Sequence, residues 1–261
     1  LSLSGNAQVY AMDANGGEPR RLSQSASIDT EPVFSPDGKS IYFVSDRGGS
    51  PQVYRMGAQG GSAQRLTFTG NYNISPAPSP DGRWLAFVSR VGGAFRLHVM
   101  DVATGQDIVA PIDRIRFGSV SWLRDGSGFF FARLREGYEK LPETERFGDR
   151  TTHFFTMATR QSVAVFSPLR NAELKLPIFA SGFVAEVPGT SLALLGVGLG
   201  VDRNRVAFIG DLRAATAGRA QWRRVVDASD EVRTVTAGGG FLYALSAKGA
   251  PRHRVLRMPL A

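Results

Sequence analysis

The stretch Asp29-Thr30-Glu31-Pro32-Val33-Phe34-Ser35-Pro36-Asp37-Gly38, followed by the apolar run Ile41-Tyr42-Phe43-Val44-Ser45, decides the fold of this 261-residue chain because it recurs. Its turn Ser35-Pro36-Asp37-Gly38 returns as Ser79-Pro80-Asp81-Gly82 and, degraded, as Leu123-Arg124-Asp125-Gly126, and both steps are 44 residues. Aspartate accepts hydrogen bonds from nearby backbone amides and glycine tolerates a positive φ, so this pair closes a hairpin without strain.

The period also holds away from the turn. The pairs Gly48-Gly49 and Gly92-Gly93 are 44 residues apart, and Met12, Met56 and Met100 share one phase. A period of about 40 to 45 residues is typical of four-stranded propeller blades. The sequence therefore predicts an all-β fold in which residues 1–261 form a single six-bladed β-propeller of four-stranded antiparallel blades, the first and last incomplete. If the two incomplete blades merge into one shared blade, the number of blades is five.

The predicted strands follow the apolar-polar alternation between turns. In the first three blades they are Leu1–Ser4, Gln8–Asp13 and Pro19–Leu22; then Glu31–Ser35, Ile41–Ser45, Gln52–Met56 and Gln64–Thr67; then Trp84–Ser89, Phe95–Met100 and Asp107–Ala110. In the last three they are Ser119–Trp122, Phe129–Ala132 and His153–Met157, after an inserted charged loop at Leu134–Thr152; then Phe183–Val187, Leu192–Val197, Arg205–Ile209 and Trp222–Val226; then Val232–Thr236, Phe241–Ser246 and His253–Arg257.

Composition excludes several classes of protein. The chain has no cysteine, so it contains neither disulfides nor thiolate metal sites. The apolar run Leu192–Val201 is about half a membrane span and contains three glycines, so we expect a buried strand and no membrane span. The start without methionine or signal peptide is expected of a processed or excised segment. Charge is uneven: residues 1–113 hold nine basic and ten acidic residues, and residues 114–261 hold 22 and 13.

Residues 1 to about 110 resemble the propeller of the TolB family. The resemblance rests on Asp29-Thr30-Glu31-Pro32, Ser35-Pro36-Asp37-Gly38, Ser45-Asp46-Arg47-Gly48-Gly49-Ser50-Pro51-Gln52-Val53-Tyr54 and Asp101-Val102-Ala103-Thr104-Gly105. It implies a six-bladed propeller of the periplasmic Tol-Pal system, which binds the lipoprotein Pal at the mouth of its channel. Thr30 and Glu31 match the Thr-Glu pair that contacts Pal in that family. A natural chain of this kind would be periplasmic.

Residues from about 114 to 261 resemble instead the propeller of bacterial prolyl oligopeptidases, where it filters peptides that enter a serine-hydrolase domain. The resemblance is carried by Val120-Ser121-Trp122, Gly128-Phe129-Phe130-Phe131-Ala132-Arg133-Leu134, Trp222-Arg223-Arg224-Val225-Val226-Asp227, Leu242-Tyr243-Ala244-Leu245-Ser246 and Ala250-Pro251-Arg252-His253-Arg254-Val255-Leu256. The two resemblances, with the break in charge, indicate an engineered hybrid joined between blades near Ala110 to Arg116. A single propeller that diverged naturally is the alternative.

The period also predicts a binding surface at the channel mouth. Glu31, Ser75 and Ser119 are equivalent, as are Asp29, Asn73 and Phe117, and each set falls on first strands. First strands line the central channel of a propeller. We therefore expect Asp29, Thr30, Glu31, Asn73 and Ser75 to form a protein-binding edge.

The sequence gives little support for a catalytic, metal, cofactor or nucleic-acid site. No Gly-x-Ser-x-Gly elbow is present, and Ser127 lies in a predicted hairpin. His98 takes the phase of tyrosines, and no histidine or carboxylate shows metal-ligand spacing. Gly196-Val197-Gly198-Leu199-Gly200 lacks phosphate-loop spacing, so no cofactor is expected. Arg252, Arg254 and Arg257 lack interleaved aromatic residues, so a solvated face is favoured over nucleic-acid binding.

The sequence thus predicts a protein that is not an enzyme, with neither catalytic, metal nor cofactor sites. The first interpretation is a chimeric scaffold without evolved activity. One alternative is a protein-binding module with residual TolB-like affinity for Pal, and another is the filter propeller of an S9-type serine peptidase without its hydrolase. Open strand edges in the first and last blades would also permit self-association.

Overall fold

The computed structural model describes residues 5–109, 111–115 and 120–260, and the chain divides into two compact units between residues 119 and 120. The predicted strand Leu1–Ser4 lies outside the described residues, as do Phe117 and Ser119. Ala110 and Arg116, the ends of the expected junction, also lie outside them.

The first unit contains three antiparallel sheets. Sheet 1 consists of β1 (Tyr10–Ala11) and β2 (Arg20–Arg21). Sheet 2 consists of β3 (Asp29–Phe34), β4 (Ser40–Ser45), β5 (Gln52–Gly57) and β6 (Gln64–Arg65). Sheet 3 consists of β7 (Asn73–Pro78), β8 (Trp84–Val91), β9 (Ala94–Asp101) and β10 (Ile112–Ile115). Within each of these sheets, every strand pairs with the next strand in the chain, as in a propeller blade.

The second unit contains the other three sheets of the described chain. Sheet 4 consists of β11 (Ser121–Trp122), β12 (Gly128–Arg133), β13 (Thr151–Thr156) and β14 (Gln161–Phe166). Sheet 5 consists of β15 (Ser181–Glu186), β16 (Leu192–Gly198), β17 (Arg205–Asp211) and β18 (Arg223–Val226). Sheet 6 consists of β19 (Val232–Gly238), β20 (Phe241–Ser246) and β21 (Arg254–Pro259). A short helix, α1 (Leu212–Thr216), follows β17, and three 3-10 turns lie at Tyr138–Lys140, Ala172–Leu174 and Ala228–Asp230.

The repeated turn closes the β3–β4 hairpin by the chemistry that its sequence predicts. The Ser35 hydroxyl donates to the Asp37 carboxylate at 2.6 Å and accepts from the Ser40 amide at 2.9 Å. Asp37 also accepts from the Lys39 amide at 3.0 Å, and Gly38 adopts a φ of 68°. These contacts leave few polar groups of the turn unpaired, which explains why the motif recurs.

Apolar side chains pack neighbouring sheets against each other within each unit. Ile41 and Phe43 of β4 contact Val9 and Leu22, which joins sheet 2 to sheet 1. On the opposite face of the same strand, Tyr42 packs towards sheet 3. In the second unit one apolar cluster joins sheets 4 and 5, and another joins sheets 5 and 6. Each inner strand is thus buried on both faces, as stacked blades require.

Backbone hydrogen bonds also tie consecutive sheets of the first unit. The Asp29 amide donates to the carbonyl of Ala7 at 2.8 Å, and the Asn73 amide donates to that of Pro51 at 2.8 Å. Each bond joins the first residue of β3 or β7 to a residue shortly before β1 or directly before β5, and the two bonds lie 44 residues apart. The period is therefore preserved in the contacts between sheets as well as inside them.

The predicted elements differ from the structure at three places. The last strand of sheet 3 is Ile112–Ile115, whereas residues 107–109 of the predicted strand form only a single bridge, between Asp107 and Met100. Sheet 4 has a fourth strand, Gln161–Phe166, that the sequence pattern missed. The helix Leu212–Thr216 was also missed; it begins at Asp211, whose carboxylate accepts from the Ala214 amide at 2.7 Å. The inserted loop carries no strand over residues 134–150.

The six sheets are those that a six-bladed prediction requires. Among the described residues the first sheet has two strands, the last has three, and the four between them have four each. Within the described residues the first and last sheets are therefore the incomplete ones, as predicted.

Candidate functional site

Glu31 and Ser75 occupy equivalent bulges in two first strands. In β3 the register passes from Thr30 opposite Val44 to Val33 opposite Tyr42, so one extra residue lies on β3. The strand β7 has the same irregularity between Ile74 and Ala77. Bulges of this kind bend a strand and re-aim a side chain, and they are frequent at binding sites.

Both bulged residues have left-handed backbone conformations. The φ of Glu31 is 51° and that of Ser75 is 56°, values that favour glycine. Each is followed by a proline, Pro32 or Pro76, whose missing N–H suits a position where the ladder is interrupted. A non-glycine residue in this conformation costs about 1–3 kcal/mol and is frequent at functional sites.

The structure brings these two residues together. The Glu31 carboxylate accepts a hydrogen bond from the Ser75 amide, with 2.6 Å between Oε2 and N. Glu31 is exposed, while Thr30 and Ser75 are half-buried. We call Thr30, Glu31 and Ser75 the first-strand edge. The bond bridges two sheets at the surface and presents a fixed carboxylate to solvent.

Asp29 lies at the buried start of β3. Both of its carboxylate oxygens accept from Arg47 at 3.1 Å, and one also accepts from the Ser25 hydroxyl at 2.8 Å. Burial raises its pKa, but hydrogen bonds from Ser45, Ser23, Ser25 and Arg47 outweigh burial and hold the pKa below 3.8. Asp29 is therefore an ionised structural anchor beneath the first-strand edge.

Asn73 holds the same position in the next sheet with neutral chemistry. It is fully buried and donates to the Gln52 side-chain carbonyl at 2.8 Å and to the Thr69 carbonyl at 2.9 Å. Arg47 of the first repeat is replaced by Val91 in the second. Because a buried carboxylate without its cation is costly, an amide at position 73 fits the loss of the arginine.

A cleft beside the edge was not predicted from the sequence. It has a volume of about 360 Å³, lies between sheet 1 and β3, and includes Thr30, Glu31 and Pro32 in its lining. A neighbouring apolar cleft of about 240 Å³ is lined by Met12 and Phe34 among others. Both of these side chains are exposed. The shared phase of Met12 with the buried Met56 and Met100 gave no signal of this exposure.

A second feature that the sequence missed is the contact between His98 and Asp107. The two side chains lie 2.7 Å apart from Nδ1 to Oδ2, and the imidazole stacks on Phe87 with 4.8 Å between ring centres. His98 is buried. The pair ties β9 to the segment that precedes β10, so its geometry is that of a packed structural contact.

The remaining candidates from the sequence take structural positions. Ser127 lies in the hairpin before β12, where its amide donates to Asp125 at 2.8 Å. The glycines at 196 and 198 lie in the buried strand β16. Within residues 5–109, 111–115 and 120–260, no group of three or more histidine, aspartate or glutamate side chains could hold a metal ion. No helix in the described part of the chain is long and apolar enough to cross a membrane.

The model of the family "TolB beta propeller domain" matches residues 1–170. The chain belongs to this family. The match runs beyond residue 110, where the resemblance in sequence was expected to stop. The predicted β-propeller class is therefore confirmed, with the TolB type as its family.

Individual relatives match shorter parts or the fold alone. The Tol-Pal system protein TolB of Bordetella pertussis is 54% identical over 44 residues, which are 16% of this TolB-type chain and 10% of the relative. The crystal structure of TolB from Acinetobacter baumannii has a TM-score of 0.60 at 18% identity, covering 97% of this chain and 59% of that one. Prolyl oligopeptidase B from Galerina marginata has a TM-score of 0.67 at 15% identity, covering 92% and 37%. The chain thus spans less than two thirds of each relative.

Proposed function

We propose that this TolB-type propeller is a non-catalytic protein-binding module that engages a Pal-like partner at the first-strand edge. The observation that carries the proposal is the pair of left-handed bulges at Glu31 and Ser75, joined by the carboxylate-to-amide bond of 2.6 Å. Backbone strain that a fold retains at its surface is a mark of a functional position. The resemblance of Thr30-Glu31 to the Pal-contacting pair of TolB supports the same edge.

The surroundings of the edge suit a protein partner. The cleft of about 360 Å³ at its side and the exposed Met12 and Phe34 next to it provide apolar contact area. A fixed carboxylate at the centre provides a directional acceptor, and charged acceptors give hydrogen bonds about twice as strong as neutral ones. In this proposal Asp29 and Asn73 hold the first strands from beneath and do not touch the partner. A natural chain would meet its partner in the periplasm.

The binding proposal is tested by titrating purified Pal into the chain by isothermal titration calorimetry. We expect Glu31→Gln to weaken binding about tenfold or more, since a charge-assisted hydrogen bond at an interface contributes about 1.5–3 kcal/mol. Glu18→Gln changes an exposed carboxylate outside the edge and is the matched control. Equal affinities for the Glu31 and Glu18 variants, or no binding at high micromolar Pal, would contradict the proposal.

We also propose that the chain is a hybrid whose second part derives from a prolyl-oligopeptidase-type propeller. The charge changes from nearly neutral to strongly basic after residue 113, and the two compact units divide six residues later in the sequence. The family match continues across this point to residue 170, and a single propeller that diverged naturally is the alternative. One uninterrupted reading frame for residues 1–261 in natural genomic DNA would overturn the hybrid origin.

A further inference from the structure

In the described part of the chain, β21, the last strand of sheet 6, is paired along one edge only, and it carries an exposed apolar surface. Among the described residues only β20 pairs with it. Its six residues are all exposed, including Val255 at 70%, Leu256 at 40% and Met258 at 37%. A strand edge of this kind is a template for pairing with another strand.

The register identifies which backbone groups face outward. Leu260 donates to the Gly240 carbonyl at 2.9 Å, and Leu256 lies opposite Ala244. Hydrogen-bonded and non-hydrogen-bonded pairs alternate along an antiparallel ladder. Leu256 and Met258 therefore bond towards β20, whereas Val255 and Arg257 direct their N–H and C=O groups to the free edge. Pro259 has no N–H, which ends the donor row at that side.

We propose that β21 pairs with β21 of a second copy of this chain, antiparallel and centred on Leu256. In this register Val255 of one copy exchanges backbone bonds with Arg257 of the other, and the reciprocal pair does the same, giving about four hydrogen bonds. Leu256 lies directly opposite its own counterpart across the two-fold axis. The contact is isologous and occupies the outer edge of β21 in both copies, so this contact closes as a dimer.

Charge favours this register over its neighbours. Both arginines of β21 lie opposite apolar residues of the other copy: Arg257 opposite Val255, and Arg254 opposite Met258. A shift that places Arg257 opposite itself would set like charges face to face, which is destabilising. The Arg257 guanidinium is also drawn over the Phe241 ring of its own sheet, at 4.6 Å from the ring centre. The Arg257 side chain therefore does not cover the outward N–H and C=O groups of Val255 and Arg257.

A cysteine scan tests the register directly, because the chain has no native cysteine. Opposed residues of a non-hydrogen-bonded pair have Cα atoms about 4.5 Å apart, within the range of a disulfide. We expect Leu256→Cys to form a disulfide-linked dimer on mild oxidation. Met258→Cys is the matched control, with similar exposure on the same strand face. In the proposed register its two copies lie about 13 Å apart, too far to link.

The oligomeric state in solution gives the second measurement. Analytical ultracentrifugation at high micromolar concentration should show a concentration-dependent dimer, since an interface of one strand edge is small. We expect Leu256→Lys to weaken the dimer at least about tenfold, because the two lysines would lie directly opposite each other. Val201→Lys, at an exposed position away from β21, should leave it intact. A monomer at all concentrations, or equal cross-linking of the Leu256 and Met258 cysteine variants, would overturn the proposal.

Discussion

Single residues with unfavourable backbone conformations mark the candidate site. Glu31 and Ser75 adopt left-handed φ angles although glycine would do so at lower cost. The prolines that follow them cannot donate to the ladder, so each pair of residues forms an interruption that the neighbouring strand tolerates. A carboxylate at the first of these interruptions reaches the backbone amide of the second. The bond makes two separate bulges into one surface feature.

Substitutions at Ser75 test the backbone strain without altering the Glu31 carboxylate. We expect Ser75→Gly to change the free energy of unfolding by less than about 1 kcal/mol, since glycine populates positive φ readily but loses more chain entropy on folding. Ser75→Val should destabilise by about 1–3 kcal/mol, because a β-branched residue is a genuine outlier in the left-handed region. Urea denaturation measures both, and equal stabilities for the two variants would contradict this account.

Asp29 makes a contribution to stability that depends on pH. Its pKa in the folded chain lies below 3.8, because its hydrogen bonds with serine hydroxyls and Arg47 outweigh the effect of burial. For a carboxyl group with a lowered pKa, the contribution is fully present above the unfolded pKa. It is lost as the pH falls through the folded pKa.

We therefore expect Asp29→Asn to destabilise the chain at pH 7 by about 1–3 kcal/mol, because Arg47 loses its charged partner. The deficit should shrink as the pH falls below the unfolded-state pKa of about 3.9, and it should shrink further as the pH falls through the lowered pKa of the folded state, where the native carboxyl group is also protonated. Denaturant unfolding of both proteins at pH 7 and pH 3 gives the measurement. Glu18→Gln, on an exposed side chain, controls for the loss of one charge. A deficit that stays constant between the two pH values would refute the role of the ionised carboxylate.

At the scale of elements, the sequence predicts strands well where the 44-residue phase holds. The two complete sheets of the first unit were predicted from the Ser-Pro-Asp-Gly turns. The hydroxyl and carboxylate contacts of these turns are local, so they can be predicted from the sequence. The strand β10 departs from the phase because β9 is longer than its counterpart β5. One of the extra residues of β9, Phe95, pairs with Ile115, and Ile112 pairs with Leu97, so β10 lies beyond the predicted position. Strand length is decided by this pairing and not by the local pattern.

The fourth strand of sheet 4 was missed for a related reason. Residues 134–150 displace everything after them from the period, so no turn marked the position of Gln161–Phe166. Contacts between elements also could not be predicted from the sequence. The period showed that Glu31 and Ser75 are equivalent, but their hydrogen bond depends on bulges that spacing alone does not reveal. The exposure of Met12 and Phe34 is likewise not indicated by the spacing of the sequence.

At the scale of the whole molecule, regular structure is unevenly distributed along the chain. Most connections between strands are short turns, whereas residues 134–150 of the second unit contain only the 3-10 turn Tyr138–Lys140. Lys140 is exposed at the end of that turn. Segments that lack ladder hydrogen bonds open locally at a low free-energy cost, whereas strands open at nearly the cost of global unfolding. The inserted segment should therefore be the first part of the chain that a protease can cut.

Brief digestion with trypsin gives the measurement. We expect the first cleavage after Lys140, yielding fragments of residues 1–140 and 141–261 that mass spectrometry identifies. Lys140→Gln removes this site and should slow the first cut several-fold, since the nearby Arg135 and Arg146 are less exposed and make side-chain contacts. Lys248→Gln changes an exposed lysine in the turn between β20 and β21 that lies 3.7 Å from Asp230, and it should leave the rate unchanged. First cleavage inside any strand of the described sheets would show that the ladders are weaker than their hydrogen bonding implies.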